Sequence, residues 1–269
     1  MNEHYRSFFG FAREPFAADL AQSEILETEA VTEVRTRFDY VVRLGAIGLV
    51  TGEIGSGKST ALRFASGSLH PSEYQVFYVT ASSGSILELY RQILEALSIG
   101  KTGNSRAILT ALIKKEVTEL VEEKKLKVVL IIDEASLLRL EVFAELHTIC
   151  QFHKDSKHYL PVILAGQANL IDKLMYRDSA PIASRVVARS HLTGIDRQGM
   201  QQYIEHHLKL CGVKTRLFEE PALTAIHQGS GGLLRKANHL ARGALIAAAA
   251  NKSMRVSAEH VRLAATEIF

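Results

Sequence analysis

Nine consecutive residues, Gly52, Glu53, Ile54, Gly55, Ser56, Gly57, Lys58, Ser59 and Thr60, combine types and spacing that can hold a phosphate. They follow a short apolar run, Ala46 to Val50, and GEIGSGKS fits the phosphate-loop pattern of two glycines separated by four residues and followed by Lys and Ser. Glycines at 52, 55 and 57 permit backbone conformations closed to residues with a Cβ, so successive N–H groups can converge on a β-phosphate. Lys58 can then reach the β and γ oxygens, Ser59 offers a hydroxyl to Mg²⁺, and the helix beginning there turns its positive end toward the anion. A chance glycine-rich turn is the competing reading; the strand, loop, helix order speaks against it.

Other residues extend that chemistry. The run KVVLIIDE, 127 to 134, is apolar until two acids close it, as a strand buried on both faces reads. In a parallel α/β sheet its carboxyl end is where ligands lie, which places Asp133 to hold Mg²⁺ through water and Glu134 to orient and deprotonate an attacking water. Gln167, after the run YLPVILAG, is a polar amide at the end of a neighbouring core strand, suited to sensing a γ-phosphate; a helix-capping role is its alternative. Arg177, Arg185 and Arg189 have few acids nearby in the sequence, which suggests charge delivered to a neighbour's γ-phosphate. Arg235, just inside the break GSGG, either reaches back to the nucleotide or is a solvated first-turn arginine. In the linker GKTGNSRA, Lys101, Thr102, Asn104, Ser105 and Arg106 suit either phosphate contacts or a solvated loop.

The elements needed to position these groups follow from periodicity. Residues 5–19 crowd Phe8, Phe9, Phe11 and Phe16 around Gly10 and Pro15 and read as an irregular arm whose rings pack in a core or border an adenine. A helix over 29–45 carries Val31, Val34, Phe38, Val41 and Val42 on one face. A second strand falls at 75–82, helices at 86–99, from Arg106 onward and at 141–153, and a further strand at 159–170. From Asp196, the expected N-cap of a helix stopped by Gly212, the pattern is helical throughout, with His206 and His207 placed on a polar side.

Composition narrows the class. A chain of 269 residues, 47% hydrophobic and 23% charged, suits a soluble α/β core with a smaller attached domain and excludes disordered or collagen-like classes. Cys150 and Cys211 stand far apart, as reduced thiols do, and Cys150 with His153 is two ligands short of a zinc site, so packing on a helix face is expected and no metal besides Mg²⁺. The run ALIAAAA is too short to span a bilayer and the first residues have no leader pattern, so a cytoplasmic protein with no membrane segment is expected. A net charge of +3 leaves any nucleic-acid contact to a local patch.

Together the phosphate loop, IIDE, AGQANL, SRVVARSHL and GGLLRKANHLA resemble AAA+ ATPases, with GEIGSGKS and IIDE standing as Walker A and Walker B. More narrowly, FFGFAREPF and the GG-x-x-R-x-x-N pattern look like the ExeA family, whose short members are similar to TnsC, TniB and MuB type transposition regulators. The resemblance implies a parallel five-stranded core sheet flanked by helices and a C-terminal all-helical lid, with an arm and leading helix over 1–45, the core over 46–194 and the lid over 195–269. It implies ATP hydrolysis to ADP and phosphate with Mg²⁺. It also implies an arginine finger acting across subunits, Arg185 first and Arg177 second, and Arg235 as the lid's sensor, with Leu234 and Ser184 replacing the family's proline and glutamine. In the transposition relatives ATP-bound subunits form rings or helical filaments around duplex DNA, and the region matching Lys101, Thr102, Ser105 and Arg106 lines the channel. The function expected is an ATPase that oligomerises on duplex DNA and recruits or regulates a transposase. Support of secretion or pilus assembly, and a nucleotide switch that binds a protein partner, are the alternatives.

Overall fold

The computed structural model describes residues 3–100, 103 and 105–267. The chain divides into two compact units, one of residues 29–52 and 58–192, the other of residues 1–28, 53–57 and 193–269.

The first unit is built on five parallel strands: β1 (Ile47–Gly52), β2 (Tyr74–Thr80), β3 (Lys127–Asp133), β4 (Val162–Gly166) and β5 (Val186–Leu192), in the order β2-β3-β4-β1-β5. The three central strands are buried almost throughout, as their unbroken apolar runs require, whereas edge strands β2 and β5 mix buried with exposed positions. Side chains alternate between two faces. Val128, Leu130 and Ile132 of β3 and Val162 and Leu164 of β4 enter one core with helices at Ile86–Ala96, Arg106–Thr118 and Leu140–Leu146. Val129, Ile131, Ile163 and Ala165 enter the other, beneath helices Glu29–Leu44 and Lys58–Gly67. The leading helix buries Val34, Phe38 and Val41 there.

Several local expectations need correction. The stretch predicted as one helix over 141–153 is α-helical only over Leu140–Leu146 and continues as a 3₁₀ turn, His147–Cys150. The helix from Arg106 widens into a π turn at Glu119–Glu123. The strand expected over 159–170 is confined to Val162–Gly166. The fifth strand lies where no apolar run marks it: in VVARSHL the exposed Arg189 and His191 alternate with inward positions, and one inward position is the buried Ser190.

The second unit packs helices Arg197–Leu210, Glu220–Ser230, Leu234–Ala250 and Ala258–Thr266 around one core. Asp196 caps the first of these, its Oδ1 accepting from the Gly199 N–H at 2.7 Å. Residues 1–28, which sequence alone attached to the α/β core, group here instead. The arm is also not irregular throughout, since Glu3–Phe9 is a helix that ends at Gly10 with a φ of 71°. Tyr5, Phe9, Phe11 and Phe16 are buried with Met200, Ile204 and Leu208, so the rings are core rather than an adenine border. His207 is likewise buried, at 3% exposure between Phe16 and Tyr203, and not on a polar face. Its neighbour His206 turns Nε2 toward the Glu24 carbonyl at 2.6 Å.

Candidate nucleotide-binding site

Strand register explains why the predicted residues converge. Leu49 pairs with Leu164, which pairs with Ile132, so the carboxyl ends of β1, β4 and β3 lie side by side. Gly52 closes β1, Asp133 closes β3, and Gln167 follows directly on β4. Beyond Gly52 the chain enters the loop and then the helix starting at Lys58.

Asp133 is 5% exposed. Its Oδ2 accepts from the Ser59 hydroxyl at 2.7 Å and from the Tyr78 hydroxyl, and its Oδ1 accepts from the Glu134 N–H at 2.8 Å. All three donors are neutral, and among the described residues Asp133 forms no ion pair. A buried carboxylate that accepts from three neutral donors, one of them a serine hydroxyl, is a donor set that suits a hard divalent cation. Burial, then the bond to Asp133, pushes the Tyr78 hydroxyl well above the usual tyrosine range, so it stays a donor. Tyr78 escaped the sequence reading, although a hydroxylated ring near the end of β2 was its signal.

Glu134 has a φ of 53°, in the left-handed region, and its side chain is half-buried and forms no ion pair among the described residues. A non-glycine residue held there immediately after the metal-type carboxylate is strain that the surroundings must enforce. They do so by close packing and one cation. A Cβ on Gly166 would meet the Ser136 nitrogen at 2.8 Å, so the turn after Glu134 lies against the end of β4. Lys173 donates to the carbonyls of Ser136 at 2.6 Å and Leu138 at 2.7 Å, a role the sequence did not announce. Gln167 is half-buried at the end of β4. The residue in the cap position of the next helix is Ala168, not Gln167.

In the loop, Lys58 donates from Nζ to the Gly52 carbonyl at 3.0 Å. Gly55 and Gly57 have φ values of 83° and 97°, which a side chain would resist. Within the helical unit the Arg235 N–H donates to the Gly55 carbonyl at 3.2 Å, and a Cβ at Gly55 would lie 2.8 Å from that of Arg235. Arg235 itself is exposed in the first turn of its helix. Glu53 and Ile54 are exposed, Ser56 is buried, and Thr60 is half-buried.

Among the described residues, one of the three arginines has an acid partner. Arg185 pairs through Nη2 with Asp155 Oδ2 at 2.7 Å, contrary to the expectation drawn from its neighbours in sequence. The Arg185 carbonyl accepts from the Ile47 N–H at 3.1 Å, which sets Arg185 at the amino end of β1. At about 3.3 Å per residue, β1 then holds it roughly 16 Å from its own phosphate loop, beyond the reach of an arginine side chain. Arg177 is exposed in a 3₁₀ turn, Arg177–Ser179, and Arg189 lies on β5 with its carbonyl accepting from Arg37.

Of the loop predicted to meet DNA, Lys101 and Thr102 lie outside the described residues. Ser105 and Arg106 are exposed at the start of a helix, and Arg106 pairs with Glu145. Cys150 is buried, and His153 sits 2.9 Å from Glu122. Among the described residues no group of three or more His, Cys, Asp or Glu is placed to hold a metal ion, and no helix is long and apolar enough to cross a membrane.

Comparison with known proteins bears on the domain type and the fold. Residues 42–174 match the AAA domain family. The chain is 29% identical over 266 residues to General secretion pathway protein A of Aeromonas hydrophila, an alignment covering 98% of this chain and 48% of that protein. It therefore spans about half the length of that relative. Its fold is similar to that of Cdc6p from Pyrobaculum aerophilum, with a TM-score of 0.70 at 16% identity over 98% of this chain and 71% of that one. It is also similar to the Aeropyrum pernix ORC1 protein in complex with DNA, with a TM-score of 0.68 at 16% identity over 94% of this chain and 68% of that one. At such identities these structures speak to fold alone. Residues 42–174 thus match the AAA domain model, the fold is similar to that of the Cdc6 and ORC structures, and the chain resembles a secretion-pathway protein along almost its whole length.

Proposed function

We propose that this chain is an AAA+ ATPase that binds ATP with Mg²⁺, hydrolyses it to ADP and phosphate, and in the ATP state self-associates on duplex DNA to recruit or regulate a transposase. The observation that carries the enzymatic part is the buried Asp133 bonded to Ser59 and followed directly by Glu134, whose carboxylate forms no ion pair among the described residues. Ser59 and Asp133 would hold Mg²⁺, which when bound neutralises charge on the β and γ phosphates. The N–H groups of residues 52–60 and the Lys58 ammonium hold the phosphate oxygens. Glu134 takes the proton of the in-line water as the bond from the γ-phosphorus to the bridging oxygen breaks, and Gln167 orients that water. Arg185, a strand's length from its own loop, meets the γ-phosphate of a neighbouring copy, with Arg177 as the second choice. Arg235, bonded to the loop at Gly55, serves as the sensor of the helical unit.

For DNA, Lys101, Thr102, Ser105 and Arg106 are the proposed contacts. Arg106 would exchange an exposed partner, Glu145, for a phosphate, and such surface pairs are worth about 0–1 kcal/mol. A similar fold carrying DNA in the ORC1 complex supports this reading. A second reading, an ATPase serving assembly of a secretion or pilus complex, is favoured by the 29% identity to General secretion pathway protein A.

A DNA-binding titration at several salt concentrations with ATP, ADP and no nucleotide separates the two. Under the first reading binding needs ATP, is largely indifferent to base sequence, and the Lys101→Ala, Arg106→Ala double variant flattens the log–log salt slope by roughly two per engaged subunit. Undetectable binding with ATP at low salt removes the transposition reading and leaves the secretion reading first.

A further inference from the structure

The proposed finger is held by a residue of its own chain. Asp155 lies on a short turn closed by the Phe152 to Lys157 bridge. In that turn His153, Lys154 and Asp155 take φ values of 47°, 58° and 68°, three successive left-handed residues without a glycine. Such a run is disfavoured by contact between Cβ and backbone, and it persists where the surroundings hold it. What it accomplishes here is to present the Asp155 carboxylate to Arg185.

The pairing leaves the guanidinium incompletely satisfied. One nitrogen, Nη2, meets one carboxylate oxygen, while Nε of the same group is buried without a hydrogen-bond partner among the described residues. A guanidinium presents its donors as a fork suited to two oxygens at once, and phosphate supplies them. The Arg185 side chain is 24% exposed and that of Asp155 is 40% exposed, so the pair stands at the surface, where an incoming anion can compete for it. The bond also holds the Asp155 carboxyl below the usual carboxylate range, so it remains charged at neutral pH.

We propose that Asp155 is a positioning residue that parks Arg185 in cis, and that this carboxylate competes with the γ-phosphate bound by a neighbouring copy. The competition raises the protein concentration at which ATP-bound subunits associate productively, and so suppresses turnover by scattered monomers. This rests on the reading of Arg185 as a finger acting in trans.

The test measures ATP turnover against protein concentration, with saturating ATP and Mg²⁺, for the parent, Asp155→Asn, Asp155→Gly, Asp155→Glu and Arg185→Ala. Asn and Gly both tolerate the left-handed backbone at this position, and Gly relaxes it, so a folded variant without the carboxylate is available. Asp155→Asn and Asp155→Gly should shift half-maximal turnover to about fivefold lower protein concentration, with the shift in the concentration dependence rather than in the plateau. Asp155→Glu should restore most of the parental dependence, which a purely structural role of the turn would not require. An unshifted dependence in both Asn and Gly variants, with turnover lost in Arg185→Ala, overturns the inference and spares the finger. A collapsed plateau at unchanged half-maximal concentration overturns it as well, because Asp155 would then be holding Arg185 in its working pose. Parental turnover by Arg185→Ala removes the finger reading itself, and the inference with it.

Discussion

The Ser59 hydroxyl donates to Oδ2 of Asp133 at 2.7 Å across 74 residues of sequence, joining the helix after the glycine loop to the end of β3. That bond is the point at which two separately readable motifs become one site. Ser59→Ala should weaken nucleotide binding measured with Mg²⁺ about 10-fold while leaving binding in excess chelator little changed, since a ligand of the metal is lost and the loop is not. Titration of a fluorescent ATP analogue under both conditions checks it; equal losses in the two would show that Ser59 acts on the phosphate alone.

Gly55→Ala tests the loop from the other side. At a φ of 83° the added methyl costs about 1–2 kcal/mol of backbone strain, and it would stand 2.8 Å from the Arg235 Cβ. The expected result is a lowered unfolding midpoint together with nucleotide affinity reduced about tenfold or more, read by calorimetry and by the same titration. Parental affinity would mean that the loop can rearrange without loss.

Lys173→Met removes the cation that binds the Ser136 and Leu138 carbonyls. Hydrogen bonds to a charged donor are worth about 1.5–3 kcal/mol, and these hold the turn that carries Glu134. Turnover should fall about tenfold with ATP affinity nearly unchanged. A fall in affinity without a fall in turnover would contradict the positioning role.

His207 makes stability depend on pH. Burial, then the nearby charges of His206, Arg13 and Arg242, depresses its pKa from 6.5 to about 4, and Nε2 has no hydrogen-bond partner among the described residues. Between those values the unfolded chain binds a proton that the folded chain refuses, so stability falls as pH drops below 6.5 and goes on falling to about 4. The shift corresponds to about 3 kcal/mol, an order-of-magnitude figure. Urea unfolding at pH 7 and pH 4.5 should show a smaller difference in His207→Phe than in the parent; an equal difference assigns the acid sensitivity elsewhere.

What was legible in the sequence was local. GEIGSGKS and VVLIIDE each state their conformation through contiguous residues, glycine freedom in one and burial on both faces in the other. Sequence spacing also placed Gln167 at a strand end, because that strand too is an apolar run. What escaped depends on partners distant in sequence. The strand Val186–Leu192 is an edge and so alternates with polar residues. The first helix exists because Tyr5 and Phe9 find a core near residue 204, and His207 is buried by Phe16 from the other end of the chain. Arg185 looked unpaired because its acid lies 30 residues away on a left-handed turn.

The most direct test of the site is ATP hydrolysis by Glu134→Gln. The general base is lost and the donor set of Ser59 and Asp133 is not, so nucleotide binding with Mg²⁺ should stay within a few-fold of the parent while turnover falls by roughly 10²- to 10⁴-fold. Hydrolysis at the parental rate with intact binding would contradict the assignment of Glu134 and the mechanism built on it.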